Sequence, residues 1–297
     1  MTRYGSLKLR TFLLTLPLHR LRLPAFVSAC LLFVSLGCSS GDVRQLAQRV
    51  DCLCDSVVLA EEDGPVCRAS LQIVTFESTE PSDAEVVDCI NDYILTTLLG
   101  QPAGLTAEEA LAHCMDDYMR EFTHVVREMY CEDLQQSQQQ SEELSEPSES
   151  ARLLAARYSY DYRTEASAQT GREDTVVCYR LTTYRFMGGA HGMSSQRWVT
   201  FSLRSGRPVT WQQLFGEEAE EWLCQQLTNK LMEQEGVECM EDLHELGFLD
   251  LGDMFVSNDM LMEPDRIVFH YDPYELAPYV LGDIDIAFSY DELPTND

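Results

Sequence analysis

Positive charge is what this chain is short of. Its 297 residues carry 21 Lys+Arg against 50 Asp+Glu, a formal net charge of −29, and Lys8 and Lys230 are its two lysines. A field of that sign repels nucleic acid and anionic lipid and so argues against functions that rest on either. It attracts cations, whether metal ions or basic proteins. A long apolar run is lacking as well, because Pro24 to Gly37 (PAFVSACLLFVSLG) is too short for a comfortable membrane span.

The usual catalytic signatures are also missing. There is no Gly-x-Ser-x-Gly elbow, and Ser194 and Ser195 have no evident base. No phosphate loop and no dinucleotide fingerprint occurs. His244-Glu245 begins like a zinc-binding helix but continues Leu246-Gly247-Phe248 without the second histidine. Cys52-x-Cys54 lacks the two-residue gap of a redox or zinc pair. Glycosidase chemistry needs only two carboxylates in the right geometry, and among 50 acidic residues the sequence singles out none. The expectation is no catalytic residue, no cofactor and no metal.

The first residues read as a leader. Arg3, Lys8, Arg10, Arg20 and Arg22 precede the short apolar run without an acidic residue among them. The run ends in "SLGCSS", which resembles the lipobox of bacterial lipoproteins, with Ser35 where an aliphatic residue is usual. Residues 1–37 are therefore expected to be a signal peptide and Cys38 the lipidation site, holding the protein at a membrane of the bacterial cell envelope, periplasmic or surface-exposed. Losing the five leader cations leaves 16 Lys+Arg against the same 50 acids, an excess of 34 anions. Nine further cysteines follow, at 52, 54, 67, 89, 114, 131, 178, 224 and 239. Export permits disulfides, but the spacings specify no pairing, and Cys89, Cys114, Cys131 and Cys224 sit in helical patterns as small core residues.

After a tether over 38–51, strand-like runs Cys52–Ala60 and Cys67–Phe76 flank "EEDGP", whose turn chemistry predicts a hairpin. Ser82 with Glu85 and Thr106 with Glu109 are capping-box signatures, each opening an amphipathic helix. Residues 135–150 (QQSQQQSEELSEPSES) are polar and apolar-poor, and predict a solvated linker between a small α+β subdomain, 52–134, and a second one, 151–295. In the second, Tyr158, Tyr160 and Tyr162 and then Val177, Tyr179, Leu181 and Thr183 keep a period of two. A third box, Thr210 with Gln213, is followed by the apolar face Ala219, Trp222, Leu223, Leu227 and Leu231, ending at Gly236. "RIVFHY" and "DIDIAFSY" close the chain as strands. The order of elements gives an α+β fold with mainly antiparallel sheets.

Two stretches stand out as candidate binding sites. Gly188, Gly189 and Gly192 surround His191 between two strand-like runs, which predicts a hairpin with a long connection. The favoured role for the imidazole is to hydrogen-bond the loop backbone rather than to act in catalysis, because the partners of general acid–base work are not in view. In "HYDPYELAPYVLG", Tyr271, Tyr274 and Tyr279 read either as contact aromatics or as half-buried residues of a kinked strand-to-loop segment.

Together, "YRFMGGAHG" followed by "SLRSGRPVTWQQLF" and later "HYDPYELAPYVLG" resemble an exported bacterial domain of unknown function. That domain forms the extracellular, lysozyme-binding part of the RsiV anti-sigma factor and a non-catalytic part of the PdaC deacetylase. The likeness covers about residues 151–293, and it implies a non-enzymatic binding or sensor module. Gly188, Gly189, His191 and Gly192 match its glycine loop, and Tyr274, Ala277, Pro278, Tyr279 and Gly282 its C-terminal motif. No anti-sigma segment, internal transmembrane helix or deacetylase domain accompanies it here. The expectation is a membrane-anchored extracytoplasmic module that binds a cationic protein such as lysozyme. The alternatives are an envelope hydrolase or glycan-modifying enzyme using His191 with carboxylates, and a structural lipoprotein.

Overall fold

The computed structural model describes residues 30–32, 46–59, 64–141, 147–250 and 252–293. Cys38 and most of the expected leader lie outside them; within the leader, Cys30–Leu32 forms a short strand, β1, antiparallel to β2. The fold is α+β. One sheet has the order β1-β2-β3-β4-β5-β6, from β2 (Leu46–Val58), β3 (Val66–Ser78), β4 (Tyr160–Thr170), β5 (Val176–Met187) and β6 (Met193–Ser202). A second, three-stranded sheet is formed by β7 (Met260–Met262), β8 (Arg266–Tyr271) and β9 (Ile284–Ser289). Every pairing is antiparallel except β3 with β4.

That one parallel pairing crosses the expected subdomain boundary. Cys67 to Gln72 lie beside Tyr160 to Glu165, so the large sheet is continuous from one side of residues 135–150 to the other. A parallel neighbour needs a long crossover, and helices supply it: α1 (Ala84–Tyr93), α2 (Ala107–Ser141) and α3 (Pro147–Arg157). Much of the expected linker is thus helix. Gln and Glu are good helix formers, and a helix without an apolar face still forms as the continuation of one that is packed.

Local signals act unevenly. The Thr106 box forms, with the Thr106 amide donating to Glu109 Oε2 at 2.9 Å and the Glu109 amide to Thr106 Oγ1 at 3.3 Å. The Thr210 box opens α4 (Trp211–Phe215). The Ser82–Glu85 box does not form: Pro81–Asp83 takes a 3-10 turn, α1 starts at Ala84, and Ser82 Oγ donates to Asp83 instead. Helix α5 (Glu220–Glu235) ends at Gly236 in the left-handed region, as its sequence signals. Leu223, Leu227 and Leu231 enter the core, whereas Trp222 stays exposed. A short α6 (Met240–Glu245) follows.

Strands β5 and β6 lie between two cores, which is why Val176 to Tyr179 and Trp198 to Phe201 are buried without a break. Val177, Tyr179, Leu181, Val199 and Phe201 pack with Val87, Ile90 and Ile94 of α1 and the turn after it. Cys178 and Trp198 pack with Leu261 and Val268 of the small sheet. Burying one such large apolar side chain stabilises the fold by about 1.5–3 kcal/mol. Polar ties join the sheets as well: Thr200 Oγ1 donates to Met260 O at 3.0 Å, and Arg180 pairs with the buried Glu263 at 2.6 Å. The open edge of β6 is closed by side chains, with the amides of Gln196 and Trp198 donating to Asp272 and Asp259, each at 2.7 Å.

The nine cysteines from Cys52 to Cys239 are all thiols. Burial pushes Cys67 and Cys178 up to about 12 and Cys114 up to about 11, so these three behave as packing residues rather than nucleophiles.

The C-terminus is tied back by a charge pair. Lys230 on α5 donates to Glu292 at 2.7 Å, and the amide and hydroxyl of Ser289 donate to the same carboxylate. The Lys230 bond, then those from Ser289, draw Glu292 from the ordinary 4.5 down to about 2. A depressed carboxylate stabilises the fold above its unfolded value, and that contribution is lost as pH falls through about 2. Glu292→Gln is expected to lower the urea midpoint at pH 7, with parent and variant converging near the low value, as urea titrations across pH will report.

Candidate functional site

The β5–β6 hairpin is joined by residues 188–192, and its register is set by Arg185 opposite Met193. One glycine here is required by geometry: Gly188 has φ +83, and a Cβ on it would come within 2.6 Å of the backbone oxygen of Arg157, while Gly192 packs under the end of the Tyr184 side chain. The loop therefore folds tightly enough to carry His191 over to the C-terminal motif. The His191 ring stacks on Tyr279 with centroids 4.7 Å apart and planes 19° apart, and Tyr279 stacks in turn against Tyr274 at 6.0 Å. Two donors share one acceptor: His191 Nδ1–H at 3.0 Å and the Tyr279 hydroxyl at 3.1 Å both reach Gly192 O.

The two stretches singled out in the sequence thus meet, 82 or more positions apart in the chain, as a ladder of three rings. Tyr274 is 50% exposed, Val280 beside Tyr279 in sequence is 86% exposed, and Leu281 is also exposed. Tyr274 has φ +74, a region that costs a non-glycine residue roughly 1–2 kcal/mol. Its amide donates to Ala277 O at 2.8 Å, and the turn around it is pinned by buried Leu276 and Ala277. Tyr271, expected as a contact residue, is corrected by the structure: at 0% exposure, with its hydroxyl donating to Phe255 O at 2.7 Å, it is a core residue. It alternates with its neighbours in β8, so facing the core sends His270 and Asp272 to the other side.

That other side holds a group the sequence did not flag. His270 lies opposite Asp285 in the β8–β9 register, and its Nδ1 is 2.7 Å from Asp285 Oδ1, while Nε2 is 3.3 Å from Asp272 Oδ1. The imidazole is 1% exposed and stacks on Trp198 at 4.4 Å, with the Arg180 guanidinium over the far ring. Burial alone would lower its pKa, but the hydrogen bonds it donates to Asp272 and Asp285 outweigh it and raise His270 to about 9. Gln196 ties the group together: its backbone amide donates to Asp272, its side-chain Nε2 donates to Asp283 Oδ2 at 2.6 Å, and its side-chain Oε1 accepts from Trp198 Nε1. Ligand atoms of His270, Asp272 and Asp283 all lie within 4.8 Å of one another. The available signal was the spacing His-x-Asp in β8 against Asp-x-Asp before and in β9, legible only once the register is known.

His244, the start of the incomplete zinc motif, faces Asp250 at 3.3 Å on the surface. A separate concavity between β3, α1 and the start of α2 is lined by Arg49, Asp88, Asn91, Asp92 and Thr106, and there Arg49 is held by Asp51 at 2.9 Å.

Residues 212–291 match the model of a protein family of unknown function, DUF3298. The matched segment spans α5, α6 and the small sheet, and includes Tyr274, Tyr279 and the His270 group; the glycine loop lies before it. No curated protein matches the chain. Among solved structures, a DUF3298 family member from Bacteroides fragilis is similar at 22% identity, covering 85% of this chain and 93% of that one with a TM-score of 0.72. A DUF3298 family protein from Pseudomonas aeruginosa shares 18% identity over 82% and 91% of the two chains, with a TM-score of 0.47. The Bacteroides likeness shows a shared fold.

Proposed function

We propose that this protein is a non-enzymatic extracytoplasmic binding module, lipid-anchored through Cys38, whose contact surface is the His191–Tyr279–Tyr274 ladder. The observation that carries this reading is the exposed Tyr274 held at φ +74. Strain of that kind persists where the surroundings over-determine it and where function uses it. An exposed tyrosine stacked on Tyr279, which exposed Val280 and Leu281 follow in sequence, supplies the rigid aromatic and apolar area from which binding hot spots are built. The partner that fits is a cationic protein of the envelope. Once the leader is lost, an excess of 34 anions steers such a protein toward the surface, and the resemblance to the extracellular part of the RsiV anti-sigma factor makes lysozyme the first to try. His191 is engaged by a carbonyl and a phenol ring, which favours a structural role for it over general-base catalysis.

Calorimetric titration of the purified protein with lysozyme, at low and physiological salt, tests this. Saturable binding that persists at physiological salt and exceeds that of a second basic protein is expected. Equal heats for both basic proteins, vanishing when salt screens them, would reduce the acidity to generic attraction.

A further inference from the structure

We propose that His270, Asp272 and Asp283 bind one divalent transition-metal ion of the zinc class. This inference is independent of the partner proposed above.

The sheet register creates the site. Tyr271 and Ile284 pair and turn into the core, so the preceding pair, His270 with Asp285, projects from the opposite face, and Asp272 and Asp283, just beyond the ends of the two strands, bring carboxylate oxygens to within 4.8 Å of an imidazole nitrogen and of one another. Two carboxylates held that close to one another favour a cation between them. With Asp285, three carboxylates surround one imidazole.

Each ligand is already held. Asp285 Oδ1, 2.7 Å from Nδ1, keeps a proton on that nitrogen and turns Nε2 outward as the donor, the carboxylate–histidine–metal arrangement. The Gln196 amide fixes Asp272 and the Gln196 side chain fixes Asp283, while the stacked Trp198 fixes the plane of the imidazole. The 3.3 Å from Nε2 to Asp272 Oδ1 is close to the edge, roughly 3.0–3.4 Å, of a coordination shell with bonds of about 2.0–2.1 Å. His270 is buried, Asp272 half-buried and Asp283 exposed, so the ion would be backed by protein and open to water on one side. One imidazole nitrogen with two carboxylate oxygens suits zinc, cobalt or manganese, whereas magnesium and calcium prefer oxygen alone. Binding replaces the proton on Nε2: that nitrogen's lone pair goes to the metal and one proton leaves to solvent.

Cobalt(II) is the probe, because its visible spectrum separates nitrogen and oxygen ligands from thiolates in a protein with eleven cysteines. Titration of the purified protein is expected to show one ion per chain, no thiolate charge-transfer band, and one proton released, read from heats in buffers of different ionisation enthalpy. Asp283→Asn, on the surface, is expected to weaken binding at least tenfold with an unchanged melting curve, and Asp285→Asn by about 10–100-fold through the orientation of His270. Absence of binding at millimolar cobalt, a thiolate band at stoichiometric binding, or equal affinity in parent and both variants would each overturn the proposal.

Discussion

Replacing Gly171 by alanine is expected to lower stability by about 3 kcal/mol, at the upper end of what overpacking costs. Gly171 follows β4, and its φ is one that any residue can adopt, so the loss will report crowding and not backbone strain. A Cβ there would stand 2.2 Å from Met262 O, 2.7 Å from Val176 Cγ2 and 2.8 Å from Cys178 Sγ. Neither side can yield cheaply. Met262 is paired with Ile267 in the small sheet and accepts the Cys178 thiol at 3.2 Å, so its retreat would part the two sheets where they are closest. At roughly 2–4 °C per kcal/mol for a chain of this size, the melting temperature should fall by about 6–12 °C. Gly189→Ala is the control, since its Cβ would meet nothing within 4 Å and only the left-handed φ is taxed, at about 1–2 kcal/mol. A Gly171→Ala protein melting within a degree or two of the parent would show that the sheets slide apart without cost.

Tyr274→Gly should separate stability from binding. Glycine adopts φ +74 freely, which recovers roughly 1–2 kcal/mol of strain. Against this stand the lost stacking on Tyr279, about 0.5–1.5 kcal/mol, and the greater freedom of glycine in the unfolded chain, about 0.5–1 kcal/mol. The terms nearly cancel, so the melting curve should hardly move. Affinity for the cationic partner should nonetheless fall by about thirtyfold or more, the effect of removing a hot-spot aromatic worth about 2 kcal/mol. A variant that binds as the parent does would remove Tyr274 from the contact surface and leave its backbone strain unexplained by binding. Tyr279→Phe adds a finer comparison, keeping both stacking partners while deleting the hydroxyl's bond to Gly192 O.

Much of the architecture was legible because it is encoded locally. The Thr106 and Thr210 boxes, the glycine stop at Gly236, the β5–β6 hairpin and the alternation in β9 each depend on a few consecutive residues. The parallel pairing of β3 with β4 was not legible, because nothing in either strand names a partner some ninety positions away. Strand β7 is three residues of Met and Leu, too short for a period to declare itself. The Ser82 box failed because Pro81 began a tighter turn one step early. The same limit divided the candidate site. The glycine loop and the tyrosines could be picked out separately, but that His191 lies on Tyr279, that Tyr271 points inward, and that His270 gathers carboxylates are all consequences of how strands are placed side by side.

The aspartates that close β6 have an effect on company as well as on shape. A terminal strand with vacant amides is a template on which another copy of the same chain can lay its own strand and begin a fibre. Here Asp272 and Asp259 already occupy the amides of Gln196 and Trp198, and any incoming strand would have to evict two carboxylates and approach a surface of its own sign. The last strand of the larger sheet is thereby guarded against edge-to-edge pairing between copies.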